Sequence, residues 1–230
     1  MRELDYYDLG LMDYSKAWEL QRKTFELRRN KDIPDTLYML EHPHTYTLGK
    51  VADRKNLIGS EEYLRENAIS VYDIDRGGDI TYHGPGQIVG YPILDLSEWK
   101  QDTHLYLRSI EQVIILTCRD YGLDAGRIEK LTGVWIEERK IAAIGIKVSR
   151  WITMHGFAFN VNTDLSLFKG IIPCGITDKS VTSLSMELGG KVDLGAVKER
   201  LLENFKKVFG YETIRISQAN YHPFREEGLS

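Results

Sequence analysis

Apolar positions recur every three to four residues after Asp13. Ala17, Leu20, Thr24 and Leu27 fall on one stripe beside Trp18 and Phe25, which predicts an amphipathic helix over 13–29 with Asp13 as its N-cap. After Pro34 the pattern shortens, and 36–41 and 45–48 read as strands broken at the His42-Pro43-His44 corner. A short helix is expected over 60–67. In 69–94, Tyr72 and Ile74 alternate with Asp73 and Asp75, a glycine-rich connection follows, and the apolar run 87–94 completes a strand, loop, strand unit. Asp102 caps a long helix whose stripe includes Leu107, Ile110, Ile114 and Tyr121, and Gly122 is placed to end it. The segments 134–137 and 140–149 flank the polar Glu138-Arg139 corner as a hairpin, and 152–162 sets Thr153, His155, Phe157, Phe159 and Val161 on one strand face. An irregular stretch over 163–179 precedes a short helical segment. The last helix starts at Asp193 and ends near Phe209-Gly210, with Val197, Leu201, Phe205 and Val208 on its apolar face, and 212–216 adds a final strand. Strands and helices interleave without regular βαβ alternation, and no linker or repeat divides them. The expected architecture is α+β, mixed sheets with flanking helices, in a single domain over 1–230.

Composition narrows the function. With 42% hydrophobic and 28% charged residues, 230 residues can bury a substantial core. A net charge of −4 and a pI near 5.9 supply no basic footprint for nucleic acid or an anionic membrane. The first residues, MRELDYYDLG, contain no apolar leader, and runs such as 113–116 fall far short of a membrane span, so a cytoplasmic protein is expected. The two cysteines, Cys118 and Cys174, form no CxxC, which argues against a disulfide framework and a structural zinc site; no metal is expected.

Four segments could carry chemistry. In RGGDITYHGPGQ at 76–87, four glycines would let the backbone approach a ligand, with Arg76, Tyr82 and His83 as donors; a plain turn between strands would read the same way. Cys174 lies between Pro173 and Gly175, where a loop could present a thiol, whereas Cys118 sits in an apolar helical stripe and reads as core. Lys140 opens an apolar strand, as a solvated edge lysine or as a cation able to favour a thiolate and move protons. The run 154–160 mixes small and aromatic residues, suiting an alkyl slot or an ordinary sheet core.

Together these segments resemble the lipoyl (octanoyl) transferases over most of 30–215. The resemblance is carried by RGGDITYHGPGQ, by GVWI at 133–136 with RKIAAIG at 139–145, by HGFAFNV at 155–161 and by PCGI at 173–176, in that order, with 34 residues separating Lys140 from Cys174. It implies the fold of the lipoate and biotin protein ligase catalytic domains, and transfer of an octanoyl group from octanoyl-acyl carrier protein to a lysine of lipoyl domains. The acceptors it implies are 2-oxoacid dehydrogenase E2 subunits and the glycine cleavage H protein. It further implies Cys174 as the acyl-thioester nucleophile and Lys140 as the group that lowers its pKa and moves protons. The acyl-binding positions would be Arg76, Gly77, Gly78, Asp79, Ile80, Thr81, Tyr82 and His83, then Ala143, Ile144 and Gly145, then Gly156, Phe157 and Ala158. Exchange between thioesters needs no ATP, and no cofactor is implied. The competing readings are an ATP-dependent lipoate ligase of the same fold and a non-catalytic acyl or lipoyl-domain binding module.

Overall fold

The three long helices begin where an aspartate can satisfy their free amides. Asp13 accepts from the Ser15 amide at the start of α1 (Tyr14–Asn30), Asp102 from Leu105 in α3 (Thr103–Asp120), and Asp193 from Gly195 and Ala196 in α5 (Leu194–Phe209). Gly122, at φ +78°, follows α3 as expected of a left-handed terminator. A short α2 (Glu61–Glu66) is capped by Ser60 and α4 (Leu184–Leu188) by Ser183. The computed structural model describes residues 2–172 and 179–217. None of the described helices is long and apolar enough to cross a membrane.

The strands are β1 (Glu3–Leu11), β2 (Asp35–Glu41), β3 (Thr45–Leu48), β4 (Ser70–Asp73), β5 (Ile80–His83), β6 (Gln87–Ile93), β7 (Val134–Ile136), β8 (Arg139–Ser149), β9 (Ile152–Asn160), β10 (Ser180–Val181) and β11 (Thr213–Ser217). The main sheet runs β10-β8-β9-β6-β2-β1-β11, with β7 paired to β8, and β4-β3-β5 form a separate small sheet. β1 is an element the sequence pattern did not suggest. Leu4, Tyr6 and Tyr7 are buried but Glu3, Asp5 and Asp8 interrupt them, and its partners β2 and β11 both run parallel to it from remote parts of the chain.

Both faces of the main sheet are covered. On one, Ile110 and Ile114 of α3 and Leu201 and Phe205 of α5 pack on Leu37, Ile88 and Phe159; on the other, Ala17, Leu20 and Phe25 of α1 pack on Tyr38, Val89 and Ala158. The small sheet has its own core of Tyr46, Leu48, Ile80 and Tyr82 with Leu167 and Ile171. A buried carboxylate joins the layers: Asp35 accepts from Arg28 Nε at 2.9 Å, Arg2 Nη2 at 2.9 Å, the Tyr211 hydroxyl at 2.6 Å and the Asp95 amide at 2.8 Å. The chain passes from small sheet to main sheet at Gly86, whose φ is +81° and where a Cβ would sit 2.6 Å from the Asn162 carbonyl oxygen.

Candidate active site

The loop from Arg76 to Asp79 crosses the end of the small sheet and lands on β8. Gly77 N donates to the Ile146 carbonyl at 2.9 Å, and Arg76, nearly buried, donates through Nη2 to the Thr47 carbonyl at 2.8 Å and to Thr47 Oγ1 at 3.0 Å. Its guanidinium is therefore a strut that holds the loop. Between this loop and the sheet lies a cavity of about 470 Å³. It is lined by Arg76, Gly77, Gly78, Asp79, Ile80, Thr81 and His83, by Lys140, Ala143, Ile144 and Gly145, and by Gly156, Phe157 and Ala158. Tyr82 stands apart, buried in the small-sheet core edge-on to Tyr46 and Phe168 and bonded through its hydroxyl to His44 Nδ1 at 2.8 Å. Cys174 lies outside the described residues.

Strand periodicity alone would separate Lys140 from Ala143 and Gly145, which lie an odd number of residues away. A bulge brings them to one cavity. Consecutive residues Trp135 and Val134 of β7 pair with Lys140 and Ala142, so Ile141 is an extra residue, and both Ile141 and Ala142 turn into the same core. Lys140 is 9% exposed, with Nζ 4.7 Å from the centroid of the Trp135 ring. Its carbonyl accepts from Thr182 N at 3.0 Å, and Val181 is its register partner on β10.

Several polar side chains along the walls are committed to one another, although the buried His155 Nδ1 has no hydrogen-bond partner among the described residues. His83 Nδ1 donates to Gln87 Oε1 at 2.9 Å, Gln87 Nε2 donates to the Tyr82 carbonyl and to Asn160 Oδ1, each at 3.0 Å, and Asn160 Nδ2 donates to the Thr182 carbonyl at 3.0 Å. Burial holds the His83 imidazole far below its ordinary range, so it is neutral, with Tyr14 stacked on it at 5.9 Å. His155, in a left-handed conformation at φ +58°, pairs through Nε2 with Asp75 at 2.8 Å. Burial lowers the His155 pKa despite that carboxylate, while the hydrogen bond from His155 holds Asp75 well below the usual carboxylate range. Apolar surface and small side chains remain for a ligand.

Several lining residues were not singled out from sequence. Gln87 and Asn160 lie inside the quoted glycine-rich and HGFAFNV runs, so their motifs were visible although their pairing was not. Tyr14, Tyr91, Phe168 and the segment of Lys130, Leu131 and Thr132 also line the cavity, but come from elements with no local signal for it.

The main sheet thus carries a cavity with a buried lysine at its wall. The model of the lipoyl protein ligase A/B catalytic domain matches residues 13–206. An octanoyltransferase of Solibacter usitatus is 50% identical over 214 residues, covering 93% of this chain and 96% of its own. Among solved structures, a bi-partite lipoate protein ligase from Thermoplasma acidophilum, studied with its E2 lipoyl domain, shares the fold at TM-score 0.74 and 17% identity, over 95% of this chain and 88% of that one. The biotin protein ligase of Aquifex aeolicus does so more distantly, at TM-score 0.52 and 12% identity over 91% and 70%. The chain belongs to the lipoyl protein ligase A/B catalytic domain family, among its octanoyltransferases.

Proposed function

We propose that the chain, as one catalytic domain acting in the cytoplasm, carries an octanoyl group from octanoyl-acyl carrier protein to a lysine of lipoyl domains, through a thioester on Cys174. The observation that carries this reading is the bulge, which sets Lys140 at the same cavity as Ala143, Gly145 and Ala158. A largely apolar cavity with an amine in its wall suits an acyl chain whose reacting carbon must meet a proton-moving group. Removing seven carbons of tail from water at about 0.8 kcal/mol each supplies roughly 6 kcal/mol of binding. The described chain on either side of Cys174 also supports the assignment: Ile172 N donates to the Asn56 carbonyl at 2.8 Å, and Ser180–Val181 pair with Arg139 and Lys140.

In the first half-reaction the Cys174 thiolate, paired with the Lys140 ammonium, attacks the donor thioester, a new carbon–sulfur bond forms, and the carrier sulfur departs as a thiol with the proton of Lys140, leaving that amine neutral. In the second the acceptor amine attacks the enzyme thioester, an amide forms, and Cys174 leaves as thiolate while the amine's proton passes to neutral Lys140. The acceptors are the lipoyl domains of 2-oxoacid dehydrogenase E2 subunits and the glycine cleavage H protein.

The test is intact mass after exposure to octanoyl-acyl carrier protein, with single-turnover rates for each half-reaction. The octanoyl adduct is expected on the native chain and absent from Cys174→Ala, and Lys140→Ala is expected to slow both steps. Lys140→Arg keeps the charge but not the proton acceptor, so it is expected to retain more of the first step than of the second. Strictly ATP-dependent transfer from free octanoate, undiminished in Cys174→Ser, would assign the chain to the ligases instead.

A further inference from the structure

Glu111 is fully buried in the middle of α3, where an unpaired carboxylate would be prohibitively costly. Its Oε2 accepts from Arg108 Nη1 and from Arg127 Nε, each at 2.7 Å, and its Oε1 accepts from the Gly133 amide at 3.1 Å. One carboxylate thus ties the helix to both ends of the 127–133 segment. That segment reaches the cavity through Lys130, Leu131 and Thr132. Just before it, Gly126 exchanges backbone hydrogen bonds of 2.8 and 2.9 Å with Trp135, whose ring lies beneath the Lys140 ammonium. At its end, Gly133 has φ +127°, and a Cβ there would lie 2.7 Å from the Ala142 carbonyl and 3.4 Å from Lys140 Cε. Only a side chain's breadth thus separates Gly133 from the lysine stem, and Trp135, whose backbone Gly126 holds, sets its ring beside the lysine head.

We infer that Glu111 is a positioning residue for Lys140: its carboxylate fixes the 126–133 segment that confines the lysine side chain along its length. The inference rests on the reading of Lys140 as the proton-moving group. A carboxylate can accept from both a guanidinium and an amide, whereas the amide of a glutamine must turn its NH₂ toward one of these donors. Glu111→Gln therefore loosens one end of the segment while preserving side-chain volume. The other charged or titratable side chains lining the cavity are Tyr14, Arg76, Asp79, His83, Tyr91, Lys130 and His155, and neither test substitution replaces any of them.

The experiment measures the pH dependence of Cys174 alkylation, the two single-turnover rates and the thermal midpoint in Glu111→Gln and Arg127→Met, with Lys140→Ala as reference. Losing one charge-assisted bond predicts a transfer rate per folded molecule lower by about tenfold, with the alkylation profile moved toward that of Lys140→Ala. A lowered midpoint with unchanged profile and unchanged rates would make Glu111 purely structural and overturn the inference. If Glu111→Gln does not fold, Arg127→Met decides in the same terms, since it takes the segment's guanidinium from the carboxylate while Arg108 and the Gly133 amide still satisfy it. Should Lys140→Ala itself leave the profile unmoved, the role of Lys140 falls and this inference with it; a moved Lys140→Ala profile beside unmoved Glu111→Gln and Arg127→Met profiles overturns the inference alone.

Discussion

Cys118 provides a sharp internal control for the thioester assignment. It is wholly buried in α3, and burial pushes its thiol up to about 12. At pH 8 such a group is thiolate in about one molecule in ten thousand, against roughly a quarter for a thiol titrating near 8.5, so its reactivity should fall by about three orders of magnitude. The remaining route is through unfolding, and a stability of about 5 kcal/mol or more would limit that to roughly two parts in ten thousand of the free-thiol rate. Iodoacetamide at pH 8 should therefore label the native chain once, on Cys174, and leave Cys174→Ala unlabelled until denaturant is added. Peptide mapping of the octanoyl adduct should show the same selectivity. Labelling of Cys118 in the native protein within tenfold of a free thiol, or an acyl adduct that survives Cys174→Ala and vanishes in Cys118→Ala, would refute both the burial argument and the choice of nucleophile.

Other perturbations follow from the same geometry. His42 donates through Nδ1 to the Met12 carbonyl at 2.6 Å and accepts from the Tyr91 hydroxyl at 2.7 Å, so the folded state holds it neutral, and burial lowers its pKa to about 4. The unfolded chain takes up the proton near 6.5, so stability is complete above that pH and declines by on the order of 3 kcal/mol as pH falls through 4, visible in thermal midpoints and reduced in His42→Gln. Replacing Asp35 with Ala leaves Arg28 its ion pair with Glu98 but takes the buried acceptor from the Tyr211 hydroxyl, the Asp95 amide and Arg28 Nε at once, and should cost about 3–5 kcal/mol by urea unfolding. At Gly145 a Cβ would lie 2.7 Å from Arg76 Cδ and 3.0 Å from the Gly77 carbonyl, so Gly145→Val should shift the ratio of hexanoyl to octanoyl transfer toward the shorter chain; an unchanged ratio would remove Gly145 from the slot.

The helices were legible because their signals are local. Asp13, Asp102 and Asp193 cap the segments whose 3.6-residue stripes face the sheet, and the hairpin around Glu138 forms near its expected bounds. The division of strands between two sheets was not legible, because β3 pairs with β4 and β5 and β2 pairs with β6 and β1 through contacts that no local pattern encodes. The cavity was partly legible for the same reason. Motifs brought Arg76, Lys140 and Phe157 to notice, but the face on which Lys140 stands depends on one extra residue at Ile141, and a period of two cannot report a change of phase within it. Tyr82 belongs to a legible motif yet turns into the small-sheet core, since alternation along β5 sends neighbouring side chains to opposite faces.

The parallel pairing of β1 with β11 bears on the order in which the molecule assembles. Asp5 meets Arg215 across 210 residues, and closing so long a loop costs roughly 3 kcal/mol more in chain entropy than closing a ten-residue hairpin. The β8–β9 hairpin, by contrast, brings Ile152 opposite Ser149 across a two-residue turn and can form early. The slow closure lies at the β11 edge of the sheet and the cavity lies on β8, β9 and β6, with β2 and β1 between them. The strands that carry the acyl slot can thus pair before the last strand docks, and destabilising β11 should raise the rate of unfolding more than it slows formation of the slot.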